Sequence, residues 1–167
     1  MKHIGLLSDT HGYFHPHIRD FFSRCDEIWH AGDIGSFEVI EQLETIALVR
    51  AVYGNIDGQA LRKDFPETAL FTVEGLKVLM LHIGGYPGRY TPKARRLIEK
   101  YRPGLFVSGH SHILKVMPDN RYHLLHINPG AAGNSGFHKS ITAVRFIIEN
   151  GRPADLEVLD IDRKKRI

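Results

Sequence analysis

Apolar residues along this chain fall into short runs that stop at polar, glycine-containing clusters. Ile4-Gly5-Leu6-Leu7 runs into Ser8-Asp9-Thr10-His11-Gly12. Glu27-Ile28-Trp29-His30-Ala31 runs into Gly32-Asp33-Ile34-Gly35, and Leu48-Val49-Arg50-Ala51-Val52-Tyr53 into Gly54-Asn55-Ile56-Asp57-Gly58. Runs of this length bounded by Gly, Asp or Asn read as buried strands ending in loops. Segments of helical period lie between them. Pro16 precedes Ile18, Phe21 and Phe22, and Ser36 precedes Phe37, Val39, Ile40 and Leu43. One helix is therefore expected to begin near Pro16 and another to be N-capped by Ser36. Strand, loop and helix in alternation predict βαβ units and a largely parallel sheet.

The second half is richer in strands. Leu70 to Val73 and Leu76 to Leu81 flank Glu74-Gly75 as a hairpin, and the second arm runs into His82. A glycine-rich loop, Gly84-Gly85-Tyr86-Pro87-Gly88, follows. Thr91-Pro92 opens a helix carrying Ala94, Leu97, Ile98 and Tyr101, and Pro103-Gly104 closes it. Leu105-Phe106-Val107 is a further buried strand ending at Ser108-Gly109-His110-Ser111-His112. Leu114 to Met117, Tyr122 to Ile127, Ile141 to Ile148 and Leu156 to Ile161 read as four more strands. With no linker or low-complexity break, residues 1–167 read as a single domain: an α/β fold with two packed sheets and helices on the outer faces.

Composition adds limits. The chain has 167 residues, enough for a sizeable core, and only one cysteine, Cys25, so no internal disulfide forms. Cys25 reads as a small buried hydrophobe. No apolar stretch approaches the roughly 18 residues of a membrane span, and Met1-Lys2-His3 leads into a strand without a signal sequence. A cytoplasmic location and no membrane partner are expected. The formal charge is +3, but Arg163-Lys164-Lys165-Arg166 supply four positive charges, and without them it falls to −1. The basic balance belongs to a tail at 162–167, expected to be solvated and frayed. Nucleic acid is not expected as a partner, and a homo-oligomer is left open. The informative excess is 11 histidines.

Five strand ends carry metal-type groups: Asp9 with His11, Asp33, Asn55, His82, and His110 with His112. Residues two apart on extended backbone point the same way, so Asp9 and His11 make a natural ligand pair. Oxygen and nitrogen donors without thiolate favour a divalent ion such as manganese, iron or zinc over calcium. Seven donors exceed what one ion with an open position needs, and suit two ions with a shared group.

Ser8-Asp9-Thr10-His11-Gly12, Gly32-Asp33, Gly54-Asn55, the strand-terminal His82 and Gly109-His110-Ser111-His112 resemble, in order, the motifs of the calcineurin-like metallophosphoesterases. Short length and Gly54-Asn55-Ile56-Asp57 resemble their small bacterial and archaeal phosphodiesterase branch, related to the retromer subunit Vps29. The resemblance implies a four-layer αββα sandwich of two mixed β-sheets flanked by helices. It implies a divalent-metal-dependent phosphoesterase, in its finer form a phosphodiesterase, acting on a small-molecule phosphoester by attack of a hydroxide bridging two ions. The alternative is a non-catalytic protein-interaction scaffold of the Vps29 type. By resemblance, Asp9, His11 and His112 hold the first ion, Asp33 bridges, and Asn55, His82 and His110 hold the second. Manganese is expected first, with iron, zinc or nickel as alternatives. Asn55 and Asp57 are the candidate catalytic residues of the loop, Asp57 with loop orientation as its competing role.

The chain departs from the family at three places. Ile56 stands where larger members carry a histidine that assists the leaving group, Ile83 where glycine is usual, and Ala131 where serine follows Asn128-Pro129-Gly130. No general acid is therefore assigned. Among the other histidines, His30 reads as a core or supporting group, and His3, His15, His17 and His123 as surface groups. His126 and His138 read as bystanders, with the alternatives that His126 lies near the site and that His138 reaches the substrate as an acid.

Overall fold

The computed structural model describes residues 1–165. The chain opens with β1 (Lys2–Leu7), α1 (Pro16–Phe21), β2 (Glu27–His30), α2 (Phe37–Glu44), β3 (Leu48–Ala51) and α3 (Gln59–Asp64). It continues through β4 (Thr68–Val73), β5 (Leu76–Leu81), β6 (Gly85–Tyr86), β7 (Arg89–Tyr90), α4 (Pro92–Tyr101) and β8 (Leu105–Val107). It closes with β9 (Leu114–Asp119), β10 (Leu124–Pro129), β11 (Ser140–Glu149) and β12 (Arg152–Asp162).

Two five-stranded sheets form, ordered β12-β11-β1-β2-β3 and β4-β5-β8-β10-β9. Both are mixed. In the first, β1, β2 and β3 run parallel while β11 and β12 are antiparallel. In the second, β5, β8 and β10 run parallel between antiparallel edges β4 and β9. Helices α1, α2 and α4 connect β1 to β2, β2 to β3 and β5 to β8, whereas β8 and β10 are joined through the antiparallel edge strand β9.

The two-residue period of each strand sorts its side chains between layers. Ile4, Leu6, Trp29, Val144 and Phe146 of the first sheet meet Val78, Met80, Leu105, Val107 and Ile127 of the second in one core. The intervening residues face outward. Leu7, Ile28 and Ala143 pack against Ile18, Phe22, Val39, Ile40 and Leu43, from α1, its C-cap and α2, while Leu79, Leu81, Phe106 and Leu124 pack against Ala94 and Ile98 of α4. Three apolar layers between four structural layers are the αββα sandwich. Trp29 anchors the central layer, edge-on to Phe71 at 5.0 Å and Phe146 at 5.8 Å between ring centroids.

Ser36 and Thr91 cap α2 and α4, accepting from Glu38 N and Ala94 N. Several elements differ from the sequence expectation. The short helix α3 has one buried residue, Leu61, and no side-chain cap, so no apolar period marks it. The glycine-rich loop folds into the β6–β7 hairpin, turning at Pro87-Gly88 with Gly88 at φ +84°. Pro118 lies inside β9 opposite Leu125, tolerated because β9 is an edge strand. The segment expected as a basic tail, 162–167, is described only as far as Lys165. Asp162 ends β12, and the Arg163 guanidinium is bound to three backbone carbonyls. Arg166 lies outside the described residues. Among the described residues no helix is long and apolar enough to cross a membrane.

Candidate metal centre

Because β1, β2 and β3 run parallel, as do β5, β8 and β10, their C-terminal ends share one edge, and the following loops lace together. Asp9 N donates to Gly32 O, His11 N to Asp33 O and Gly12 N to Ile34 O, joining the loops after β1 and β2. Gly109 N donates to His82 O, joining those after β5 and β8. Side chains tie the two sheets as well: Asp9 Oδ2 accepts from His110 N at 3.0 Å, and is itself steadied by Ser8 Oγ of its own loop at 2.6 Å.

Asp9, His11, Asp33, His110 and His112 all have positive φ, between 47° and 71°. Asp and His reach this region more readily than most residues, yet each left-handed residue costs on the order of 1–2 kcal/mol. Five together approach the net stability of a whole domain. The backbone is bent at each strand end to bring side chains inward, and the loop hydrogen bonds hold it there. Gly54 belongs to the same construction: a Cβ at this position would lie 2.1 Å from Asp33 Oδ1.

The side chains converge as two groups. One donor atom from each of Asp9, His11 and His112 lies within 4.8 Å of the others, and the same holds for Asp33, His82 and His110. Asn55 Oδ1 sits 3.0 Å from His110 Nδ1, adding Asn55 to the second group. All seven sequence-predicted ligands are thus brought to one place. Donors held about 2.1 Å from one ion at ordinary coordination angles lie about 3.0–3.4 Å apart. That spacing recurs between Asp9 Oδ1 and His112 Nε2 (3.2 Å), Asp33 Oδ2 and His11 Nε2 (3.4 Å), and Asp33 Oδ2 and His82 Nε2 (3.3 Å).

Asp9 Oδ1, His11 Nε2 and His82 Nε2 are buried with no hydrogen-bond partner, a state costing about 1–3 kcal/mol per group. His82 Nδ1 lies 2.7 Å from Ala31 O and so carries the proton, leaving Nε2 as a lone pair aimed into the cluster. Cations among these atoms satisfy all three, so the donor set fits divalent ions.

The electrostatics agree. Burial acts to raise the pKa of Asp9, but the neighbouring His11, His112 and His82 imidazoles and the Ser8 hydroxyl hold it well below the usual carboxylate range. Asp33 is likewise lowered: burial opposes, but His82 and the Ile56 N–H prevail. The Asp9 carboxylate beside it raises His11 against burial, and the burial that acts to lower His82 is outweighed by Asp33 and Asp9. Both carboxylates therefore stay ionised among the imidazoles, a setting that attracts cations, with protons competing for the same histidines.

Asp57 does a different job from the ligands. Its two oxygens accept from the backbone N–H groups of Ile34, Gly35 and Gly54 at 3.1, 2.8 and 2.8 Å. His30 also supports the loops. Nδ1 accepts from Gly32 N at 3.1 Å, so Nε2–H donates to Thr10 Oγ1 at 2.9 Å, and Thr10 in turn donates to Ile34 O. Asn128 binds Gly109 O and Ser111 Oγ, tying down the loop that bears His110 and His112.

His15 departs from its surface expectation. It is 3% exposed and caps α1, its side chain accepting from His17 N. His126 is fully buried and stacks on Phe106. His138 lies beside His112, with 3.1 Å between their Nδ1 atoms. A polar residue inside an apolar run, such as His30 or His126, was the one available signal for these supporting groups. The His138 contact had none.

A two-sheet sandwich with paired donor clusters at its parallel strand ends defines a metal-binding α/β protein. Residues 1–151 match the calcineurin-like phosphoesterase superfamily domain. A probable metallophosphoesterase of Methanothermobacter thermautotrophicus is 31% identical over 135 residues, 77% of this chain and 76% of that protein. The chain belongs to the calcineurin-like phosphoesterase superfamily. Solved structures share its fold, among them the two that follow. An archaeal phosphodiesterase has TM-score 0.74 at 21% identity, covering 95% of this chain and 99% of the other. Wild-type Vps29 of Entamoeba histolytica, complexed with zinc, has TM-score 0.74 at 16% identity, covering 97% and 99%.

Proposed function

We propose that this phosphoesterase is a two-ion phosphodiesterase. Asp9, His11 and His112 hold one ion, Asn55, His82 and His110 the other, and Asp33 bridges them. The observation that carries this reading is the position of Asp33 Oδ2, 3.4 Å from His11 Nε2 and 3.3 Å from His82 Nε2, which belong to different donor groups. One carboxylate oxygen facing both groups is the arrangement a shared ligand needs. When bound, two divalent ions lower the pKa of a shared water and take up charge on the phosphoryl oxygens. Manganese is the first choice of metal for this thiolate-free set, with iron, zinc and nickel as alternatives.

The residues of the chain do the rest. Asp57 keeps the Gly54–Asn55 turn against the loop of Asp33, which is a positioning role. A groove walled by Tyr53, Arg62, Glu67, Lys93 and Arg96 leads away from Asn55 and His82; Lys93 is paired with Glu67 at 2.7 Å, which leaves Arg62 and Arg96 as the cations that suit an anionic ester arm. His138 has both ring nitrogens engaged, near His112 Nδ1 and Gly133 O, and Ile56 offers no proton. With no side-chain acid at hand, esters of acidic alcohols are the fastest substrates. A panel of mono- and diesters run with each metal, alongside elemental analysis of the purified protein, tests the reading. Hydrolysis of aryl diesters that stops with a chelator supports it, and absence of turnover with every metal overturns it.

One observation favours a second reading, a protein-interaction scaffold. Ile56, Ile83, Ile113 and Phe137 are 46%, 42%, 61% and 105% exposed, and the first three directly follow the ligands Asn55, His82 and His112. An apolar collar suits a protein partner as well as an aryl ester. Metal-loaded protein that hydrolyses nothing would favour the scaffold.

A further inference from the structure

We propose that His138 positions the imidazole of His112 for metal binding, and that Arg163 holds His138 in place; this rests on the two-ion reading above.

With both rings neutral, the hydrogen-bond pattern has one consistent solution. His138 Nε2 lies 2.7 Å from Gly133 O. A carbonyl only accepts, so Nε2 carries the proton and Nδ1 of the neutral ring is a lone pair. His112 Nδ1 lies 3.1 Å from that lone pair and is therefore the donor. The remaining nitrogen of His112, Nε2, is left unprotonated, 3.2 Å from Asp9 Oδ1. That is the tautomer a metal ligand needs, fixed by the partner of its other nitrogen.

The surrounding chain is built for this contact. A Cβ on Gly136 would lie 2.7 Å from His112 Nδ1 and 3.1 Å from His138 Nδ1, so only glycine leaves the two rings room to meet. The loop that carries His138 has no regular structure, and its Phe137 is fully exposed and holds nothing. Arg163 replaces the missing packing. Its guanidinium donates to Gly136 O at 2.8 Å, His138 O at 2.5 Å and Asn134 O at 2.6 Å. At the loop's other end, Gly133 N donates to Asp9 O at 3.1 Å. The first residue of the basic C-terminal cluster is thus linked through one loop to a metal ligand. The same pattern removes His138 as a general acid, because its one proton is held by Gly133 O.

The test compares wild type, His138→Ala, His138→Gln, Arg163→Ala and Arg163→Lys. Mn2+ affinity is measured by competition with a chelating dye, and turnover on diesters with good and poor leaving groups. His138→Ala is expected to weaken the first Mn2+ by roughly 10–100-fold, the usual size of a lost supporting contact, and to leave the second unchanged. His138→Gln offers an amide oxygen to His112 Nδ1–H and restores most of the affinity. Arg163→Ala shows a smaller loss of the same kind, which Arg163→Lys, unable to span three carbonyls, does not repair. Turnover falls by the same factor for good and poor leaving groups. Melting curves check that each variant folds, and Arg163→Ala keeps the test open should His138→Ala not fold. Wild-type affinity in both alanine variants overturns the proposal. So does a loss confined to poor leaving groups, which would make His138 the acid. A wild-type chain that takes up no Mn2+ overturns the two-ion reading itself, a different result from either.

Discussion

Asp33 Oδ2 and His82 Nε2 lie 3.3 Å apart although they belong to different sheets. Asp33 leaves β2 in the first sheet and His82 leaves β5 in the second. Their approach is possible because each sheet ends its parallel strands at the same edge, and because Asp33 turns inward at φ 55°. The candidate metal centre is thus a seam between the sheets, and changes that part the seam are expected to cost metal before they cost the fold.

Gly54→Ala tests this directly. The new methyl would lie 2.1 Å from Asp33 Oδ1 and 2.4 Å from Asp33 N, so both the side chain and the backbone of Asp33 must shift. Isothermal titration is expected to show loss of tight binding at both ion sites with the far-ultraviolet spectrum unchanged.

Asp57 carries three backbone N–H groups and is 3% exposed. Asp57→Ala leaves these donors short of acceptors and is expected to lower unfolding stability by on the order of 2–4 kcal/mol in urea titration. Asp57→Asn keeps one acceptor oxygen and should lie between alanine and wild type. A catalytic Asp57 would instead give equal loss of turnover in both variants with stability intact.

His30 and His126 are held neutral. Burial is the leading cause in both, and pushes each pKa down to about 4 from 6.5. Unfolding frees them to bind protons, so stability is complete above pH 6.5 and falls as pH drops towards 4. Each contributes up to about 3 kcal/mol across that window. In metal-free protein the urea midpoint is expected to fall between pH 6.5 and 4, and His126→Leu to flatten that slope. An unchanged slope would mean His126 titrates alike in both states.

The legible part of this molecule was what repeats along the chain. Apolar runs ending at Asp9, Asp33, Asn55, His82 and His110 marked strands and candidate metal donors together, because a parallel strand must leave the core at its C-terminal end. Ser36 and Thr91 marked helix starts through their own chemistry. What stayed hidden depends on contacts between residues far apart in sequence. Leu61 alone could not announce α3. His15 looked like a surface histidine because its burial comes from tertiary packing and its capping role from local backbone geometry. Arg163 looked like part of a solvated tail, since its three carbonyl partners lie 25 to 29 positions away. Ligand types are read locally, whereas the groups that orient them are set by the fold.

The central claim is a pair of ions bridged by Asp33, and the most direct test counts Mn2+ per chain while following hydrolysis of bis(p-nitrophenyl) phosphate. Wild type is expected to bind two ions and to turn over only when both are present. Asp9→Ala should keep one, and Asp33→Ala should hold neither tightly and be inactive. Equal metal content and equal turnover in wild type and Asp33→Ala would contradict the account.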